Sequence, residues 1–117
     1  MFEIHPENTP KQIILHVSGS VLLPVAVEFY DQIIPIVANK KNKEIVFDLS
    51  QIEKFDATAL GVLVSLSNRY VRHGRKICIF CPPSHIEKLI MDMGIEKFFP
   101  VFENEEELNN YSLSRMG

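Results

Sequence analysis

Asp56 and Thr58, two residues apart, are the pair in this chain whose types and spacing suit chemistry. They stand where an apolar run hands over to a helical pattern. Upstream, Glu44-Ile45-Val46-Phe47-Asp48-Leu49 reads as a buried strand. Downstream, Leu60, Leu63, Val64, Ser67 and Val71 recur at helical spacing. Thr58 is therefore expected at a helix N-terminus, where free N–H groups and the positive end of the dipole favour negative charge. A phosphate on its hydroxyl is electrostatically tolerated there. The same hydroxyl could instead cap the helix, with Asp56 as the rival cap. No base, second nucleophile or glycine-rich phosphate cradle adjoins the pair, so the pattern points to a switch rather than a catalyst. A small α/β enzyme using Asp56 or Thr58 as nucleophile is the remote alternative. His16 in mid-strand and His5 near the N-terminus read as structural and do not serve it.

The remaining reactive side chains are Cys78 and Cys81. Their C-x-x-C spacing invites a redox or zinc reading. However, Lys76-Ile77-Cys78-Ile79-Phe80-Cys81 has the composition of a strand, where positions three apart face opposite sides and cannot bridge. A zinc site needs further ligands, and only His73 and His85 are near in sequence. The expectation is structural thiols with no disulfide between them, no metal and no cofactor.

These residues must be positioned by a chain of 117 residues, long enough for a single domain over 1–117 to bury its own core. The net charge is −3, from 12 basic and 15 acidic residues, so the basic excess usual for nucleic-acid binding is lacking. The one basic cluster, Arg69, Arg72, His73, Arg75 and Lys76, falls at a helix C-terminus, where cations complement the dipole. No apolar run approaches membrane-spanning length, so no membrane insertion is expected. Met1 to Pro6 lacks the pattern of a secretory leader, which suggests a cytoplasmic protein.

Strands and helices alternate along the sequence. Gln12 to Ser18 reads as a strand, and Pro24 to Ala38 as an amphipathic helix on Ala26, Phe29, Tyr30, Ile33 and Val37. Pro35 is expected to kink, break or end that helix. Asn39 to Lys43 is a polar turn. Glu44 to Leu49 and Ile77 to Phe80 are apolar on both pleat faces, as strands inside a covered sheet are. The helix after Thr58 runs to about His73, with Gly74 as its stop. Ser84-His85-Ile86-Glu87 has a capping-box pattern, opening a helix with its stripe at Ile86, Leu89, Ile90 and Met93 and ending at Gly94-Ile95. Phe98 to Phe102 is a short strand. Asn104-Glu105-Glu106-Glu107 begins a last helix, with Leu108 and Tyr111 as its buried candidates. Met1 to Ile4 could add an edge strand. The reading is an α/β fold with a mainly parallel sheet and helices packed on it.

Four stretches carry a resemblance. They are Val46-Phe47-Asp48-Leu49-Ser50, Phe55-Asp56-Ala57-Thr58-Ala59-Leu60-Gly61-Val62-Leu63, Gly74-Arg75-Lys76-Ile77 and Met93-Gly94-Ile95-Glu96-Lys97-Phe98-Phe99. In this order and spacing, over roughly residues 10 to 110, the chain resembles the STAS domain family and, more narrowly, bacterial anti-sigma factor antagonists. The family motif around the second stretch is D-S-[ST]-G-L-G-V-L. The resemblance implies one STAS-like domain with an antiparallel edge strand beside the parallel sheet. It also implies a partner that is both an anti-sigma factor and a serine kinase, phosphorylation at the second hydroxyl position of that motif, and reversal by a metal-dependent phosphatase of the PP2C type. The acceptor here is then Thr58. The partner surface is formed by Asp56, Ala57, Thr58, Ala59 and Leu60 together with Ser20. Three departures stand out. Ala57 replaces a serine, Ala59 replaces a glycine, and Gly19-Ser20-Val21-Leu22-Leu23 lacks the acids often found after that glycine. A STAS subunit of a signalling or lipid-transport assembly that docks without phosphorylation is the alternative these departures leave open.

Overall fold

The computed structural model describes the backbone of residues 1–39 and 43–116, and the side chains of that range up to Asn110. Its centre is a five-stranded sheet in the order β1-β2-β3-β4-β5. The strands are β1 (Phe2–Asn8), β2 (Gln12–Val21), β3 (Glu44–Phe55), β4 (Ile77–Phe80) and β5 (Val101–Phe102). β1 runs antiparallel to β2, and every other pairing is parallel. The parallel pairs require crossovers, and the helices α1 (Ala26–Ala38), α2 (Ala57–Val71) and α3 (Ser84–Asp92) supply them. A fourth helix, α4 (Glu105–Met116), ends the described chain.

Alternation along β3 and β4 explains their continuous apolar character. Ile45, Phe47 and Leu49, with Ile77 and Ile79, join the main core with the buried stripes of α1 and α2. The intervening Val46 and Cys78 face the other side, where they cluster with Phe102 of β5 and Leu108 of α4. Both faces of these strands are thus buried, as the sequence pattern indicates. Phe29 of α1 sits at the middle of the main core. Its ring meets Phe2 edge-on at 5.4 Å and Phe55 at 5.9 Å, so the edge strand and the far end of β3 converge on one helix.

Several expectations are revised. β1 is longer than Met1 to Ile4, and β3 runs past Leu49 to Phe55. The polar stretch Ser50 to Lys54 continues the strand because it pairs with β2 across register shifts between His16 and Ser18 and between Gly19 and Ser20. α1 is preceded by a single 3-10 turn at Leu23–Val25, and it passes through Pro35 to Ala38 without breaking. Pro35 lies on the exposed side, where its ring meets solvent and only one backbone hydrogen bond is lost. Val71 is 58% exposed rather than core. The cap of α3 is Pro83, not Ser84: the Pro83 carbonyl accepts from the N–H groups of Ile86 and Glu87, at 2.9 and 3.0 Å. A reciprocal cap appears instead at α4. Glu107 N–H donates to Asn104 Oδ1 at 2.9 Å, and Glu103 N–H donates to the Glu107 carboxylate at 3.4 Å. Residues 98 and 99 precede β5 rather than forming it, with a 3-10 turn at Glu96–Phe98. Much of the expected polar turn at Asn39 to Lys43 and the Tyr111 side chain lie outside the described residues.

The strand expected over Lys76 to Cys81 ends at Phe80, so strand alternation does not reach the second cysteine. Cys78 is buried, Cys81 lies just beyond β4 with φ +53°, and no disulfide joins them. The basic cluster is not one surface patch. Arg75 is buried, and it donates to the carbonyls of Lys43 at 3.0 Å and Val37 at 2.8 Å with its guanidinium 5.2 Å over the Tyr70 ring. It thereby gives a second donor to a carbonyl at the end of α1 that the Asn39 N–H also reaches. Burial holds its pKa below the usual arginine value.

Two glycines make opposite predictions. Gly19 has φ +83°, and a Cβ there would lie 2.4 Å from the Met1 carbonyl oxygen. Gly61 is helical, and a Cβ there meets nothing within 4 Å. Gly19→Ala should therefore cost more than about 1 kcal/mol, whereas Gly61→Ala should gain up to about 1 kcal/mol of helix propensity. Denaturant titration of both variants reads the contrast, and equal effects would contradict it.

Candidate functional site

Parallel pairing brings the C-terminal ends of β2 and β3 side by side, and the chain leaves both ends to begin α1 and α2. Asp56 joins the two exits. Its N–H donates to the Val21 carbonyl at 3.4 Å, and its carbonyl accepts the N–H of Leu60 at 3.1 Å, starting α2. With extended backbone at φ −94°, ψ −178°, it occupies the N-cap position. Oδ1 accepts the N–H of Ala59 at 2.9 Å, and Oδ2 accepts the N–H of Leu23 at 2.9 Å. One carboxylate thus caps α2 and tethers the turn that leads into α1.

Because Asp56 is the cap, the hydroxyl of Thr58 is not needed for one. Ala57 and Thr58 are both exposed in the first turn of α2, which contains no acidic residue. Ala59 and Leu60 are 0% exposed. Their side chains pack in the core, so as placed they seat the helix and offer a partner nothing. Ser20 is half-buried at the end of β2, with its N–H donating to the Met1 carbonyl at 2.9 Å. It neighbours Val21, to which Asp56 is bonded, but it does not line the groove that holds Thr58.

That groove runs between α1 and α2. It is shallow, about 490 Å³, and Val27, Tyr30, Thr58, Gly61, Val62 and Ser65 contribute to its walls. Its lining holds no histidine, lysine or carboxylate. At its α1 side Val27 is 75% exposed, and Leu23, on the tethered turn, is 65% exposed. The guanidinium of Arg69 donates to the Tyr30 hydroxyl at 3.2 Å, bracing α2 against α1. The arrangement is an apolar ridge and groove with one exposed hydroxyl at a helix N-terminus. It suits docking and modification better than bond-breaking within the chain.

Leu23, Val27 and Tyr30 were not among the partner-facing residues expected from sequence. Val27 did carry a signal, since it lies off the stripe formed by Ala26, Phe29, Ile33 and Val37. The second arm of Asp56 carried none, because its bond to Leu23 spans 33 residues.

Asp56→Ala should remove the cap and the tether together, costing about 0.5–2 kcal/mol in denaturant titration. Asp56→Asn keeps an acceptor and should cost less. Amide exchange should accelerate at Leu23 and Ala59 together in Asp56→Ala, and protection lost at only one of them would mean the carboxylate does not bridge the two elements.

Comparison with known proteins places this geometry. No curated protein sequence matches the chain. A putative anti-sigma factor antagonist from Thermotoga maritima superposes with a TM-score of 0.83 at 18% identity, over 92% of this chain and 92% of that one. An anti-sigma factor antagonist from Mycobacterium paratuberculosis gives 0.82 at 18% identity, over 95% and 93%. The unphosphorylated anti-sigma factor antagonist SpoIIAA gives 0.74 at 11% identity, over 97% of both chains, and the Bacillus SpoIIAA is also solved in its phosphorylated form. At such identities the likeness is one of fold. The STAS domain family model matches residues 3–108, and the chain belongs to the STAS domain family.

Proposed function

We propose that this chain is an anti-sigma factor antagonist that binds an anti-sigma factor through the α1/α2 groove and the Leu23–Val27 ridge, and that phosphorylation of Thr58 by that partner ends the binding. A metal-dependent phosphatase of the PP2C type would restore it. The observation that carries this reading is the exposed Thr58 hydroxyl beside an exposed apolar ridge, released from capping duty by Asp56. The solved relatives support it, since one of them exists in phosphorylated and unphosphorylated forms. A non-catalytic role fits the same surface, as does action in the cytoplasm, and no described helix is long and apolar enough to cross a membrane.

A specific observation favours a second reading. Ala57 presents a methyl at an exposed position where the family motif carries serine. With one of the paired hydroxyls gone, a subunit that docks without phosphorylation has the same groove available to it.

Incubation with ATP and each anti-sigma factor kinase of the source genome separates the two. Under the first reading mass spectrometry finds one phosphate, on Thr58. Thr58→Asp weakens partner binding by at least about tenfold, or roughly 1.4 kcal/mol in calorimetry, while leaving stability level or slightly raised. Thr58→Ala binds and no longer responds to ATP, and it loses little stability because Asp56 is the cap. Binding that persists with no change of mass in ATP selects the docking subunit. Phosphate only on Ser65, Ser67 or another site overturns the assignment of Thr58.

A further inference from the structure

On the sheet face away from α1 and α2, His16 of β2 sits between two carboxylates from the strands on either side. Nδ1 lies 2.6 Å from Asp48 Oδ2 on β3, and Nε2 lies 2.7 Å from Glu7 Oε1 on β1. Ionised carboxylates only accept hydrogen bonds, so both ring nitrogens must donate. Only the doubly protonated imidazolium does that. Asp48 is in turn buried, and its second oxygen accepts the N–H of Ser50 at 2.9 Å. The β3 side of the triad is therefore rigid, and the β1 side is the one able to move.

β1 divides into two halves. Phe2 and Ile4 pack against the main core. His5, Pro6, Glu7 and Asn8 are all exposed, and Pro6 has no N–H to give the ladder. No apolar side chain anchors this outer half, so the bond from Glu7 to His16 is its side-chain attachment. We propose that the Glu7–His16–Asp48 triad is a pH-gated clasp. The imidazolium ties the outer half of the edge strand to β3, and loss of its proton releases residues 5–8 from β2.

The surrounding charges bear on the sign. The groups facing the ring or the adjoining cavity are Glu3, His5 and Glu7 of β1, the Met1 amino end, and Asp48 and Glu53 of β3. His5 is itself held by Glu3 at 3.0 Å. Partial burial opposes the charged ring. The hydrogen bonds to Glu7 and Asp48 and their negative charge outweigh it, and the pKa rises above the ordinary 6.5. A raised histidine pKa means the clasp is fully formed below the unfolded-state value and is lost as pH rises through the folded-state value.

The test uses the intact chain labelled with 15N. Long-range proton–nitrogen spectra should show both His16 nitrogens protonated at pH 6, with a titration above the ordinary histidine value of 6.5. Glu7→Gln, at an exposed position, should lower the His16 titration without disturbing the fold. Amide protection at His5, Glu7 and Asn8, corrected for intrinsic exchange, should fall as pH passes the His16 titration while Phe2 to Ile4 hold. In His16→Gln the protection of the same amides should be low and independent of pH. One bare ring nitrogen at pH 6, a His16 titration at or below 6.5, or wild-type protection that follows His16→Gln at every pH would overturn the clasp. If His16→Gln fails to fold, the Glu7→Gln titration and the wild-type protection profile decide the matter by themselves.

Discussion

The bridge made by Asp56 is the interaction on which the candidate site depends. A helix begins with backbone donors that have no partner within it, and a turn entering another helix has the same difficulty. Here a single carboxylate serves both, with Oδ1 on Ala59 and Oδ2 on Leu23. The arrangement is possible because β2 and β3 are parallel, so their C-terminal ends open onto the same side of the sheet. It also decides what is left over. With the cap supplied from outside the helix, the first turn presents Ala57 and Thr58 to solvent, and the tethered turn presents Leu23.

The two faces of the sheet are put to different uses. The face under α1 and α2 is a continuous core, and Phe102 of β5 and Leu108 of α4 close the β3–β5 half of the other face. Toward β1 that second face turns polar, and Asp48 lies at the change. An ionised carboxylate buried in an apolar run costs several kcal/mol unless it is paired and hydrogen-bonded. His16 and Ser50 N–H provide that pairing, so β3 can carry an acid in its interior. The apolar groove by Thr58 and the charged triad at His16 thus stand on opposite faces of one sheet.

Most of the topology was legible because burial on both faces of a strand leaves an unbroken apolar run, as at Ile45 to Phe47 and Ile77 to Ile79. What failed to show was governed by partners distant in sequence. Ser50 to Lys54 has the polarity of a loop, and only its pairing with β2 keeps it extended. The outer half of β1, with Pro6 and its charges, has the composition of an edge rather than of a buried strand. Ser84 and Glu87 have the spacing of a capping box, yet the rigid Pro83 places its own carbonyl under the helix first. At the site, Asp56 and Thr58 were readable from the strand-to-helix handover. The choice between them as cap was not, since either side chain reaches the same donors. The burial of Ala59 and Leu60 follows from helix phase once α2 is known to start at Ala57.

The surface around Thr58 has an electrostatic asymmetry that bears on how a modification there would act. Toward the domain, a phosphate meets a helix N-terminus whose first turn holds no acid, an interaction worth about 0.3–1 kcal/mol in its favour at an exposed site. The carboxylate of Asp56 opposes it, but both its oxygens are already engaged with N–H groups. Toward a partner docked as proposed, the same phosphate would lie in the groove that Thr58 shares with Val27. Burying an uncompensated charge costs several kcal/mol, well beyond the gain at the helix terminus. The domain is therefore nearly indifferent to charge at Thr58, whereas a partner packed on the ridge is not. Only a partner that brought a cation to the same spot would reverse that sign, so the direction of the proposed switch would be set by what the partner buries rather than by any change within the STAS fold.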